Sequence, residues 1–175
     1  TEFALIELIR EHTALTRDDV CLGIGDDAAV LALAAGKQLV VSTDMLVAGV
    51  HFPLATNPFD IGWKSLAVNL SDLAALGAEP AWATLALAMP TADPAWVCAF
   101  AQGFGTLARQ HRLALVGGDT TCGPLTISVT VHGFVDAGRA LRRDGAHVGD
   151  TICVTGWLGD AAAGLRLVLA GHAAA

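Results

Sequence analysis

The stretch "NPFDIGWKSLAVNLSDLAALGAEPAWATLALAMP" (residues 57–90) sets a helix against a strand with almost no connection between them. Asn57 suits an N-cap, Pro58 the first helical position and Asp60 the first turn, while Gly77 suits the stop. Trp63, Leu66, Leu70 and Leu73 follow the 3,4,3 spacing of one buried face, so the pattern predicts a helix over 57–77. "WATLALAMP" (82–90) then reads as a strand closed by Pro90. Working outward, a helix is expected over 94–111, a short strand at 113–117 and a long alternating strand at 125–135. Upstream, "QLVVSTD" (38–44) reads as a strand, and Phe3, Ile6 and Ile9 mark a short helix with Glu2 near its start. Residues 136–150 are a polar, glycine-containing connection; "TICVTGWLGDAAAGLRLVLAG" then reads as strand, glycine turn and helix. The expected architecture is α/β (α+β), a mixed sheet flanked by helices. It fills residues 1–137, with a connection at 138–150 and the start of a second, truncated domain at 151–175.

Composition narrows the function classes. The 175 residues carry a net charge of −7 and a mean hydropathy of +0.56, yet no stretch approaches the roughly 20 apolar residues that span a bilayer. An acidic chain with two lysines and no basic run is a poor nucleic-acid binder. The excess of apolar residues points to surface buried elsewhere, in a partner subunit or a further domain. Cys21, Cys98, Cys122 and Cys153 are widely spaced, which implies free thiols in a reducing cytoplasm. The acids inside "TEFALIELIREH" argue against a signal peptide.

The acids are 13 Asp against 4 Glu, and several recur in one kind of setting. "GIGDDAAV" (23–30) doubles Asp26 and Asp27 between small residues, with Arg17 and Lys37 the nearest cations in sequence. "STD" (42–44) closes the expected strand with three oxygen-bearing side chains, and "GGDTT" (117–121) sets Asp119 after two glycines. Ser65, Asn69 and Asp72 form an i, i+4, i+7 stripe beside the apolar face of the long helix, a crowded and partly buried place for a carboxylate. Each segment alone is more often a turn or a solvated face. Together they offer hard oxygen donors suited to Mg²⁺ with phosphate, with Asp27, Asp44, Asp72 and Asp119 as candidate ligands assisted by Ser42 and Thr43. The six histidines show no zinc spacing.

Two phosphate motifs fail. "GIGDDA" fits the dinucleotide fingerprint in form, but its acids would meet the pyrophosphate unscreened and no clear helix follows. Lys37 in "AAGKQL" lacks the first glycine and the hydroxyl residue of a P-loop. Use of ATP would therefore rest on metal carboxylates and on arginine, with Arg139, Arg142 and Arg143 grouped in the connection.

The segments "LGIGDDAAV", "STDMLVAGVHF", "KSLAVNLSDLAALGAEPAW", "GGDTTCGPL" and "GWLGDAAAGL" closely resemble the bacterial thiamine-monophosphate kinase family, in order and spacing, through nearly the whole chain. "GDDA" occurs across the wider aminoimidazole ribonucleotide synthetase-like superfamily, whereas "TDMLVAGVHF" points to the thiamine branch. The resemblance implies ATP-dependent phosphorylation of thiamine monophosphate to thiamine diphosphate. It also implies a cytoplasmic homodimer whose N-terminal sheets pair in a barrel-like interface. Carried over by position, it makes Asp27, Ser42, Thr43, Asp44, Asp72 and Asp119 ligands of several Mg²⁺ ions. Gly118, Asp119 and Arg143 become ATP contacts and His51 a substrate contact, while Asp26 keeps a supporting role. No side-chain nucleophile is expected, because a phosphate monoester with a second pKa of about 6 is already ionised. The rival expectations are another ATP-dependent enzyme of the superfamily, such as a purine-synthesis ligase or hydrogenase-maturation protein, and a non-catalytic nucleotide-binding or dimerisation module.

Overall fold

The computed structural model describes residues 2–172, which fall into two compact units, residues 1–142 and 143–175. The first unit holds α1 (Glu2–Thr13), β1 (Val20–Leu22), β2 (Val30–Leu31), β3 (Lys37–Val47), α2 (Pro58–Ala75), β4 (Glu79–Met89), α3 (Pro94–Gln110), β5 (Ala114–Cys122) and β6 (Thr126–Asp136). Four strands form a mixed sheet in the order β3-β6-β4-β5, in which β4 and β5 are parallel and the other pairs antiparallel. The parallel pair needs a crossover, and α3 supplies it. The mixed sheet with flanking helices is the expected architecture.

Both long helices start as their sequences dictate. The Asn57 side chain accepts from the Phe59 N–H, and Asp93 accepts from Ala95 and Trp96, each cap followed by proline at the first helical position. The expected apolar face of α2 buries Leu66, Leu70 and Leu73, while Trp63 is half-buried. Helices α2 and α3 lie against each other at glycine. A Cβ on Gly62 would stand 2.0 Å from the Phe100 carbonyl oxygen, and one on Gly103 would stand 1.9 Å from that of Phe59. Phe100 and Phe104 fill the space between this pair and the sheet, with Leu87, Ile127 and Val129 from the strands.

Within the first unit, described residues cover the opposite face of the sheet at one end. There Trp82, Ala114 and Val116 pack against Leu15, Val20, Ala29 and Leu31. Elsewhere on this face Leu39, Val41 and Met45 of β3 are exposed, beside Thr130 and His132 of β6. The Nδ1 of His132 is buried and has no hydrogen-bond partner among the described residues.

The second unit has α4 (Asp160–Leu169), which matches the helix expected there, and every described side chain in it is exposed. The strand expected from residue 151 does not form. Residues 151–154 find no neighbour strand among the described residues of their unit, and a strand without a ladder leaves its backbone groups to water. Among the described residues, no helix is long and apolar enough to cross a membrane.

Gly62→Ala forces two backbones apart, so a urea melt should show a loss of about 3 kcal/mol or more. Burial holds His132 below its ordinary value of 6.5, against a smaller opposing bond to the Trp82 backbone. A group depressed in the folded state stabilises above its unfolded pKa. Melting temperature should therefore fall as pH drops below about 6.5, and His132→Gln should flatten that slope.

Candidate functional site

Helix α1, the loop at residues 23–27 and strand β5 enclose a cleft of about 540 Å³. Glu2, Asp26, Asp27 and Asp119 line it, and no lysine, arginine or histidine does. Phe3, Ile6, Leu85 and Leu115 make up its apolar wall. Four carboxylates and no basic side chain give the cleft a negative lining, which suits it to positive charge.

Local structure puts these acids there. In the loop Gly25 adopts φ +126°, a conformation side chains resist, and the Asp26 carboxylate accepts from the Asp27 N–H at 2.8 Å. Asp26 therefore shapes the turn on which Asp27 stands. Across the cleft, β5 carries a bulge: Ala83 pairs with Leu115 and Thr84 with Gly117, skipping Val116. Beyond it Gly118 approaches β4 so closely that a Cβ would stand 1.9 Å from the Leu85 carbonyl oxygen. Only glycine allows that approach, and Asp119 follows it. The "GGDTT" segment thus lies within β5, which runs five residues past the expected end.

A second polar locus lies where α2 crosses β3. Strand β3 continues to Val47, so Ser42, Thr43 and Asp44 sit in mid-strand and not at its end. Asn69, fully buried on α2, accepts from the Asp44 N–H at 3.1 Å and donates to the Ser65 carbonyl at 2.9 Å. Ser42 Oγ donates to Asp72 Oδ2 at 2.6 Å, and the Thr43 and Thr130 hydroxyls share a 2.8 Å bond across the β3–β6 pair. The expected crowding of the α2 stripe holds for Ser65 and Asn69, both buried, but Asp72 is exposed. One helical turn further along, the stripe reaches the solvent-exposed margin of β3, where Asp72 still meets Ser42.

His51 is exposed in the loop after β3; its Nδ1 accepts from the Val47 N–H at 2.9 Å, which leaves Nε2 as the ring's free donor. Lys64 of α2 holds the His51 carbonyl. Arg143 is exposed and belongs to the second unit. The structure therefore brings Asp27, Gly118 and Asp119 to one cleft and Ser42, Asp44 and Asp72 to a second locus. Among the described residues no three histidine, cysteine or acidic side chains gather around one point. The roles of Asn69 and of α1 escaped the sequence; the i, i+4 spacing of Ser65 and Asn69 was the available signal for the first.

Residues 25–135 match the family described as AIR synthase related protein, N-terminal domain. The chain belongs to this family. Within the AIR synthase related family it is 51% identical over 167 residues to the thiamine-monophosphate kinase of Escherichia coli K12, covering 95% of this chain and 51% of that protein. The crystal structure of thiamine-monophosphate kinase from Stenotrophomonas maltophilia K279a superimposes with a TM-score of 0.88 at 62% identity, over 98% of this chain and 54% of that one. A solved complex, AaThiL with AMPPCP and TMP, gives a TM-score of 0.76 at 33% identity over 99% of this chain and 54% of its own. The chain spans about half the length of the curated relatives it matches.

Removing the Asn69 amide strands the Asp44 N–H. Asn69→Ala should cost about 1–3 kcal/mol in a denaturant melt, and amide exchange at Asp44 should rise more than at Val40 of the same strand.

Proposed function

We propose that this chain is the metal- and nucleotide-binding half of an enzyme that transfers the γ-phosphoryl group of ATP to thiamine monophosphate, giving thiamine diphosphate in the cytoplasm. The observation that carries the reading is the cleft beside β5, which has four acids and no basic residue in its lining. The similarity to thiamine-monophosphate kinases over 95% of the chain supplies the choice of acceptor. Four free cysteines are consistent with a reducing compartment.

The donor set fits Mg²⁺. Mg²⁺ takes one or two protein carboxylates and completes its shell with water and phosphate oxygens, so pairs of acids suffice where a closed protein cage is missing. Asp27 and Asp119 would hold the metal in the cleft, with Ser42, Thr43, Asp44 and Asp72 as further ligands. When bound, Mg²⁺ neutralises the two polyanions and favours in-line transfer. Gly118 brings backbone within reach of the nucleotide, Asp119 contacts it, and His51 offers its free Nε2–H to the substrate. No general base is required of the chain, since the acceptor oxygen is already largely ionised.

We propose a homodimer as well, a reading the same geometry supports. Strands β3 and β5 occupy opposite edges of the sheet, three strand spacings or about 14 Å apart. One copy thus holds Asp44 and Asp119 too far apart to share a metal directly. A second copy laid on the open face would cover Leu39, Val41 and Met45 and set one protomer's β3 edge beside its partner's β5 edge.

Conversion of thiamine monophosphate in the presence of ATP and Mg²⁺, read by chromatography of thiamine diphosphate, tests the proposal. Asp27→Asn, Asp72→Asn and Asp119→Asn should each lower kcat/KM by about a hundredfold or more while leaving the melting temperature near that of the parent. Phosphorylation of other acceptors in preference to thiamine monophosphate, or normal turnover in all three variants, would overturn it.

A further inference from the structure

The two acid-bearing walls of the cleft, the 23–27 loop and β5, are distant in sequence, so something must fix their separation. Asp19 stands where their supports converge. Its carboxylate receives a two-pronged bond from Arg17, Nε to Oδ1 at 2.8 Å and Nη2 to Oδ2 at 2.6 Å. The same Oδ1 accepts from the Trp82 indole N–H of β4 at 3.1 Å. Its backbone carbonyl accepts from the Ala32 N–H at 2.9 Å, tying the outgoing limb of the loop to the incoming one. Arg17 in turn donates from Nη1 to the Arg112 carbonyl at 2.6 Å, in the turn that leads into β5. Arg112 holds φ +52°, an uncommon conformation for a side-chain-bearing residue, so this turn is itself sharply defined.

We propose that Asp19 is the positioning residue of the cleft: clamped between Arg17 and Trp82, it fixes the Asp26–Asp27 loop at the distance from Asp119 that a metal-bound polyphosphate requires. The proposal rests on the reading of the cleft as a Mg²⁺-nucleotide site. Two features separate the clamp from an incidental ion pair. It joins three chain segments, the root of the loop, the sheet and the α3–β5 turn, whereas the Arg10–Glu7 pair closes on its own helix. It is also shielded: the Arg17 and Asp19 side chains are 20% and 24% exposed, against 37% and 69% for Lys37 and Asp136. The Arg17 guanidinium holds the Asp19 carboxyl below the usual carboxylate range, aided by the Trp82 bond, so the clamp is charged at neutral pH. Apolar anchors at Ile24 and Ala29 hold the loop against the two cores on either side of the acids, which leaves the clamp to set its angle and not its existence.

Hydrogen exchange in the ligand-free chain tests this without any appeal to activity. Asp19→Asn keeps the acceptor for Trp82 and removes the charge; Trp82→Phe removes the indole N–H and keeps a ring against Phe134. Both should speed exchange of amides 23–29 about fivefold, while β3 and β6 stay as in the parent. Asp136→Asn, which breaks an ion pair elsewhere on the sheet, should leave 23–29 unchanged. Calorimetric titration with Mg²⁺ and ATP should show affinity reduced about fivefold in the two clamp variants, and near-parental affinity in Asp19→Glu. Unchanged exchange at 23–29, exchange raised equally across the sheet, or a mobile loop with unaltered Mg²⁺-ATP affinity would overturn the proposal. A parent chain that takes up no Mg²⁺-ATP would count against the nucleotide reading, and exchange alone would then decide whether Asp19 positions the loop.

Discussion

The contact on which the rest of this structure leans is backbone against backbone. At Gly62 and Gly103 the helices α2 and α3 meet without intervening side chains, at a separation any Cβ would forbid. That spacing lets both helices lie on one face of a four-stranded sheet and still reach its two ends. Helix α2 then crosses β3 with Asn69 aimed at Asp44, and α3 delivers the chain into β5 beside β4. Wider spacing would lift one helix off the sheet and break one of the two polar loci. The core is thus the scaffold of the candidate site in a direct sense: the loci are what the two helices bring with them.

Much of this was legible in residue pattern. Caps, prolines and apolar spacing marked α2 and α3 to within two residues of their bounds, because those signals are local. Strand ends were less legible. Ser-Thr-Asp and Gly-Gly-Asp look like turns, yet both continue as strands. In β3, at the sheet's edge, the Asp44 N–H has no strand to meet and takes the Asn69 side chain instead, a tertiary partner that no local pattern announces. In β5 the bulge absorbs the irregularity at Gly117 and lets the strand run on. The strand read from residue 151 failed for the opposite reason: its pattern was suitable, but no neighbour completes it within its unit.

The acids of the candidate site stood out in the sequence as residues, but their arrangement did not. Each acid was visible as an anomaly, a carboxylate among small or apolar neighbours. Their division between opposite edges of the sheet was not, since it depends on strand order, which spacing along the chain does not encode. Asp26 illustrates the finer grain: an extended segment sends neighbours to opposite sides, but Gly25 turns the chain and makes Asp26 a cap for Asp27.

The sheet order also carries a consequence for how the chain is made. Strand β6, the last of the four in sequence, is the only strand partner of β3 among the described residues and separates it from β4. On the ribosome, β3 has no ladder until residue 126 and beyond have emerged, and its row of Leu39, Val41 and Met45 stays bare throughout. Contacts between segments some ninety residues apart close late, so folding of this unit is slow relative to its helices and ends with an insertion at the centre. During synthesis the nascent chain therefore presents β3 as an apolar strand open on both edges, the part of the molecule with most need of protection from its neighbours.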